Sequence, residues 1–241
     1  MIKYIHFNQQ FNAAKLQQEI SQLENFLWKE HYNKSNYEGS WTTMQLRSIN
    51  GMVENNTAIQ PSALQNGHEF RDTPLMEQCA YIKEVIDFFE MEKTAVRLMK
   101  LDAGAIIKAH QDHGLNFEEG EVRLHIPVFT NDKVKFMLEE EVIPMQEGSC
   151  WYLNLSLKHS VANESDSNRI HLVIDGMVND WLTDYFNMPA HTSCSFDAPQ
   201  QGDHYSREDK LKIIAQLRLM QTEVGDQLAD DMQASLNQTE F

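Results

Sequence analysis

The sequence predicts a mainly β core with flanking α elements, its strands antiparallel in a sandwich or barrel. Three observations carry this. Between Thr94 and Gly176 the chain breaks into short runs rich in Val, Ile, Leu and Phe. Turn residues separate those runs, with no stretch of helical period between them, which excludes the βα alternation of a parallel sheet. On both sides of this region apolar residues recur at three- and four-residue spacing, as in amphipathic helices.

The elements follow in order. Leu16, Ile20, Leu23 and Leu27 form one stripe and predict a helix over Ala14–Tyr32. Trp41–Ile49 is extended in character. The polar stretch Asn55–Arg71 holds Pro61 and Gly67 and reads as a loop. Ile82, Ile86 and Phe89 restore the helical period over Leu75–Phe89. Strands are then expected at Thr94–Leu101, Ala105–Asp112, Glu121–Thr130, Val134–Leu138, Val142–Met145, Ser149–Leu155 and Arg169–Gly176. The turns between them include Asp102-Ala103-Gly104, Asn131-Asp132 and Glu147-Gly148. After Asp180 no further strand is expected, and His191–Asp203 is loop-like. Ser206 caps a last helix running to about Asp231, with Ile213, Leu217, Met220, Val224 and Leu228 as its stripe. The organisation expected is a β domain with N-terminal helices over 1–180 and a helical C-terminal region over 181–241.

Composition narrows the function mainly by exclusion. With 241 residues and 41% apolar content, the chain can bury a substantial core. No run approaches the roughly 20 apolar residues of a membrane helix, and Met1–Phe7 lacks the apolar stretch of a secretory signal. A formal charge of −16 repels phosphate backbones and anionic lipid, so neither nucleic acid nor a membrane is an expected partner. Cys79, Cys150 and Cys194 are odd in number and widely spaced, which argues against a disulfide framework and a structural zinc site. A reducing, cytoplasmic setting is expected. In so acidic a chain any anionic ligand must be held by a few local cations.

The chemistry concentrates in one constellation. His110 and Asp112 stand two residues apart at the end of a predicted strand and so share a face. His159 follows on a later segment. Two imidazoles and one carboxylate on one side of a metal leave three coordination positions open, the facial triad of non-haem Fe(II) oxygenases. Ten residues on, Arg169 opens the last strand. A guanidinium there matches the free carboxylate of a chelating 2-oxo acid.

His110-x-Asp112, His159 and Arg169 resemble the signature of the 2-oxoglutarate oxygenases. More of the text is similar to the aspartyl/asparaginyl β-hydroxylase family, which includes bacterial hydroxylases of free amino acids, proline among them. The similar stretches are Arg97-Leu-Met-Lys-Leu-Asp-Ala-Gly104, Arg123-Leu-His-Ile-Pro127, Gly148–Trp151 and His159-Ser-Val-Ala-Asn163. The resemblance implies a double-stranded β-helix (jelly roll, cupin-like), with Fe(II) on His110, Asp112 and His159 and 2-oxoglutarate on Arg169. It places Arg123 and His125 beside co-substrate and substrate, and Arg97 is the reserve substrate residue. It also leads to the expectation that Asn163 supports His159.

Blander roles compete for several residues. His113 is expected to be solvated and is the rival ligand if the strand register shifts by one. His171 reads as a core histidine, and Arg97 equally as the partner of an ordinary carboxylate. Trp41, Trp151 and Tyr152 read as core. The C-terminal stripe reads as packing and allows a homodimer. The reaction expected is O2-dependent hydroxylation of a C–H bond in a free amino acid or small derivative. The alternatives are hydroxylation of an Asp or Asn residue within a protein, and a cupin-like binder of metal or small molecules without turnover.

Overall fold

The computed structural model describes residues 1–23, 26, 28–54, 69–112 and 114–196, together with 211, 214, 215, 218, 230 and 233. The first compact unit spans Met1–Phe196. Its elements are β1 (Ile2–Gln10), α1 (Ala13–Gln22), β2 (Lys29–Glu30), β3 (Tyr37–Glu38), β4 (Trp41–Ile49), β5 (Phe70–Asp72), α2 (Ala80–Asp87), β6 (Lys93–Leu101), β7 (Ile106–His110) and β8 (Glu121–Phe129). There follow β9 (Val134–Leu138), β10 (Glu141–Ile143), β11 (Ser149–Leu153), β12 (His159–Asn163), β13 (Arg169–Met177), α3 (Asp180–Phe186) and β14 (Thr192–Ser195).

These strands form a double-stranded β-helix. The larger sheet runs β14-β1-β11-β8-β13-β6-β4-β2, with β5 on β4; the smaller runs β10-β9-β12-β7-β3. Every strand pairing among the described residues is antiparallel. Strand alternation divides the larger sheet into two chemically different faces. Outward, Leu98, Leu124, Ile126, Ile170, Leu172 and Ile174 pack with Leu16 and Ile20 of α1 and Ile82 and Ile86 of α2. Inward, Met99, Leu101, Trp151 and Val173 meet Ile107, Phe136, Leu138 and Val161 of the smaller sheet and close the jelly roll. Covering both faces explains why these strands read as nearly continuous apolar runs. It also leaves the inward positions of β8 and β13 free to carry charge.

Two loop glycines are demanded by geometry. Gly104 ends its turn at φ +73°. Gly148 sits at φ +77°, and a Cβ there would lie 2.3 Å from the carbonyl oxygen of Phe11. Only glycine permits that approach.

The structure corrects several expectations. Helix α1 stops at Gln22, with Leu23 as its C-cap, well short of Tyr32. The chain beyond is drawn out so that Lys29 and Glu30 pair with Thr43 and Thr42 of β4. The stripe residues Leu16, Ile20 and Leu23 are nonetheless fully buried; Leu27 lies outside the described residues. Strands do not stop at Asp180. After α3, β14 pairs Thr192–Ser195 with β1, and neither strand was anticipated. His191–Asp203 is therefore not all loop, and the first unit runs past 180 to Phe196. In the second unit, Asp197–Phe241, the described positions 211, 214, 215, 218, 230 and 233 are helical. Arg218 pairs with Asp230 at 3.2 Å. Ser206 and the stripe Ile213, Leu217, Met220, Val224 and Leu228 lie outside the described residues, as does His113.

Candidate functional site

Pairing of β12 with β7 sets His159 directly across from His110. Their ring centroids are 4.2 Å apart. Each ring is held by the backbone carbonyl two residues before it: His110 Nδ1 lies 2.8 Å from Lys108 O, and His159 Nδ1 lies 3.0 Å from Leu157 O. Those carbonyls can only accept, so each Nδ1 carries a proton and Nε2 is the ring nitrogen left to face a metal. Burial holds the His159 ring neutral, its pKa down to about 4. Asp112 lies just past the end of β7, where its backbone N–H donates to Leu155 O at 2.8 Å. Its Oδ1 is 3.7 Å from His110 Nε2. One ligand atom from each of His110, Asp112 and His159 can be chosen so that all three lie within 4.8 Å of one another. Two imidazoles and a carboxylate on one side fit a divalent metal with open positions.

The inward face of the larger sheet supplies the rest. Arg123 and His125 of β8 point the same way, opposite Asp175 and Val173 of β13. Arg123 Nε and Nη2 grip Asp175 at 2.7 and 2.9 Å, and its Nη1 donates to Asp112 Oδ2 at 3.0 Å. Arg97 of β6 donates to the same Asp175. Burial alone would raise the Asp175 carboxyl; the two arginines outweigh it and bring the pKa down to about 2. Burial also works against Arg123, but Asp175 holds its pKa above the ordinary arginine value.

Arg169 differs. It is 3% exposed, its Nη2 donates to His171 Nδ1 at 2.7 Å, and its Nε has no hydrogen-bond partner among the described residues. No ion pair involving it is formed among those residues, and burial brings its pKa to about 9. Both ring nitrogens of His125 and Nε2 of His171 likewise lack partners among the described residues. Burial, then the Arg169 charge, keeps both rings well below the ordinary histidine range. His110, Asp112, His159, Arg123, His125 and Arg169 line one cavity, walled by Trp41, Met99 and Phe136.

Six of the candidate site residues, His110, Asp112, Arg123, His125, His159 and Arg169, thus line this cavity, while several other residues take roles different from those expected. Arg97 is an ion-pair partner rather than a free cation. Trp41 is a cavity wall as well as core, stacked on His31 at 3.6 Å. Asn163 does not reach His159; its amide caps the turn carbonyls of Leu101, Asp102 and Ser167. Two carboxylates were overlooked. Asp175 lies six residues beyond Arg169 on the inward face, the signal that could have found it. Glu121 shares the face of Arg123 and His125, is 6% exposed, and burial lifts its pKa to about 7.

A jelly roll with two imidazoles, a carboxylate and, among the described residues, a buried arginine without an acidic partner at one cavity defines the class of protein. Residues 10–178 match the family model described as aspartyl/asparaginyl beta-hydroxylase. The chain belongs to that family. It is 29% identical over 168 residues to L-proline cis-4-hydroxylase of Rhizobium meliloti (strain 1021). That match covers 68% of this chain and 57% of the relative, so the chain spans little more than half of the protein it resembles. Solved structures also align weakly. A 2OG-Fe(II) oxygenase family oxidoreductase from Burkholderia pseudomallei gives a TM-score of 0.46 at 12% identity, covering 70% of this chain and 82% of that one. A Pseudomonas putida prolyl-4-hydroxylase gives 0.44 at 11% identity, covering 74% and 95%.

Proposed function

We propose that the protein is an Fe(II)- and 2-oxoglutarate-dependent dioxygenase that hydroxylates a C–H bond of a free amino acid or small derivative. The observation that carries this is the grouping of His110, Asp112 and His159 within 4.8 Å with a buried Arg169 in the same cavity that has no carboxylate partner among the described residues. In this reading His110 Nε2, His159 Nε2 and Asp112 hold the iron, which when bound supplies the oxidising chemistry from O2 and 2-oxoglutarate. Arg169 takes the far carboxylate of 2-oxoglutarate, which satisfies its stranded Nε–H and offsets its uncompensated charge.

The substrate carboxylate meets Arg123 and His125, with Arg97 behind. Arg123 uses three of its five N–H groups on Asp175 and Asp112, which leaves two to donate. Neutral His125 offers a further ring N–H. Trp41, Met99 and Phe136 exclude water, and the arginine clamp presents one C–H bond, which is how orientation selects the carbon. Among the described residues no helix is long and apolar enough to cross a membrane. Our reading places the enzyme in the cytoplasm, acting on a small molecule and O2 without a nucleic-acid or membrane partner.

The test supplies Fe(II), 2-oxoglutarate and O2 with a panel of free amino acids, and measures succinate and a product heavier by one oxygen. The expected result is one amino acid, or a narrow group, that stimulates both. Hydroxylation of peptides only would move the substrate to a residue in a protein. No turnover by metal-loaded protein with any of them would favour a binding role.

A further inference from the structure

The two oxygens of Asp112 have different surroundings. Oδ1 faces His110 Nε2, 3.7 Å away, while Oδ2 accepts Arg123 Nη1 at 3.0 Å. Arg123 is itself immobilised by the fork it forms on Asp175. Asp175 is gripped from its other side by Arg97. Four alternating charges therefore run Arg97, Asp175, Arg123, Asp112. Arg97 and Asp175 are 4% and 2% exposed, so water screens the inner part of this chain poorly.

The arrangement matters because of where Asp112 sits. Strand β7 ends at His110, so no ladder holds the side chain of Asp112 in direction. A carboxylate left free can turn about its terminal bond and offer a metal one oxygen or two. With Oδ2 committed to Arg123, only Oδ1 is presented, and a further coordination position stays open. Asp175 and Arg123 are register partners on adjacent strands inside the larger sheet.

We infer that Asp175 is a positioning residue for the metal-ligating carboxylate: it locks Arg123, which restricts Asp112 to one-oxygen ligation. This rests on the proposed metal centre and adds to it a role for two residues that touch no metal. Support of this kind for a ligand typically changes metal affinity by roughly 10–100-fold.

The test uses Co(II) in place of Fe(II), because Co(II) is stable in air and its visible bands weaken as coordination number rises. Dissociation constants and spectra are measured for the parent, Asp175→Asn, Arg123→Lys and Arg169→Met, each first checked for a cooperative melt. Asp175→Asn and Arg123→Lys are expected to bind Co(II) roughly 10–100-fold more weakly, with weakened bands. Arg169→Met alters the same cavity outside the charge chain and is expected to match the parent. Arg123→Lys keeps the charge but not the fork, so it reads the same link if Asp175→Asn does not fold. Parent-like affinity and spectrum in either folded variant would overturn the inference, as would an equal loss in Arg169→Met. A parent that binds no Co(II) would instead remove the metal centre itself.

Discussion

Replacing Arg169 by Met should stabilise the ligand-free protein while abolishing its response to 2-oxoglutarate. Arg169 is 3% exposed, and its one side-chain hydrogen-bond partner among the described residues is a neutral imidazole 2.7 Å away. Burial takes its pKa from 12.5 to about 9, which corresponds to roughly 5 kcal/mol of unfavourable charge burial as a ceiling. For a base whose folded pKa is depressed, that cost is fully present below pH 9 and relieved as pH rises toward 12.5, so at pH 7 all of it applies. Methionine removes the charge at similar length but strands His171 Nδ1, at a cost of about 1–3 kcal/mol. The net gain is about 2–4 kcal/mol. In a unit of this size it should raise Tm by roughly 4–16 °C. Melting curves followed by circular dichroism, with Mn(II) present and 2-oxoglutarate at about a hundred times its Kd, give the second half. The parent should gain about 2.7 kcal/mol from the ligand, and the variant nothing. A variant that melts below the parent without ligand, or whose Tm still rises with 2-oxoglutarate, would refute the reasoning.

Three other outcomes follow from named contacts. His110→Ala should eliminate Co(II) binding, read by its visible spectrum, yet shift Tm little, because the side chain is partly exposed and its ring hydrogen bond goes to Lys108 O of its own strand. Gly148→Ala should lower stability by about 2–4 kcal/mol in urea denaturation, since its Cβ would meet Phe11 O at 2.3 Å. Glu121 has a raised folded pKa of about 7 against an ordinary 4.5. Its protonated form is therefore the stable one, and the parent loses stability as pH rises from 4.5 to 7. Glu121→Gln escapes that loss, so its Tm advantage should grow across this window and level off above pH 7; a constant difference would show that Glu121 ionises freely.

What could be read in advance follows the reach of each signal along the chain. Strands β4, β6, β8, β9 and β13 were legible to within a residue or so because each is a short segment rich in apolar residues and bounded by turn residues. Strands β1 and β14 were not. Asn8, Gln9 and Gln10 dilute the apolar pattern of β1, and Thr192–Ser195 is short and polar. Both are strands because they pair with β11 and each other, a long-range fact that no local window holds. The helix α1 was overextended for the same reason: β4 draws the following residues into pairing, overriding their local period. His110, Asp112, His159 and Arg169 could be proposed from their spacing together with the resemblance of the surrounding text, because metal ligation and carboxylate recognition require particular side chains.

The partners of the arginines were a different matter. Arg123 and Arg97 meet Asp175 across separations of 52 and 78 residues, and 36 acidic residues compete in the sequence for that role. The sequence by itself determined the β core and the need for local cations in an acidic chain, and it singled out the four residues of the proposed constellation. The tertiary structure alone decided which cation remains free. Pairing of β8, β13 and β6 brings Asp175 between Arg97 and Arg123 and leaves Arg169, at the other end of β13, with no carboxylate in reach among the described residues. The physical reason is that charge compensation in a low-dielectric interior depends on distances of a few ångströms, and those are set by strand register.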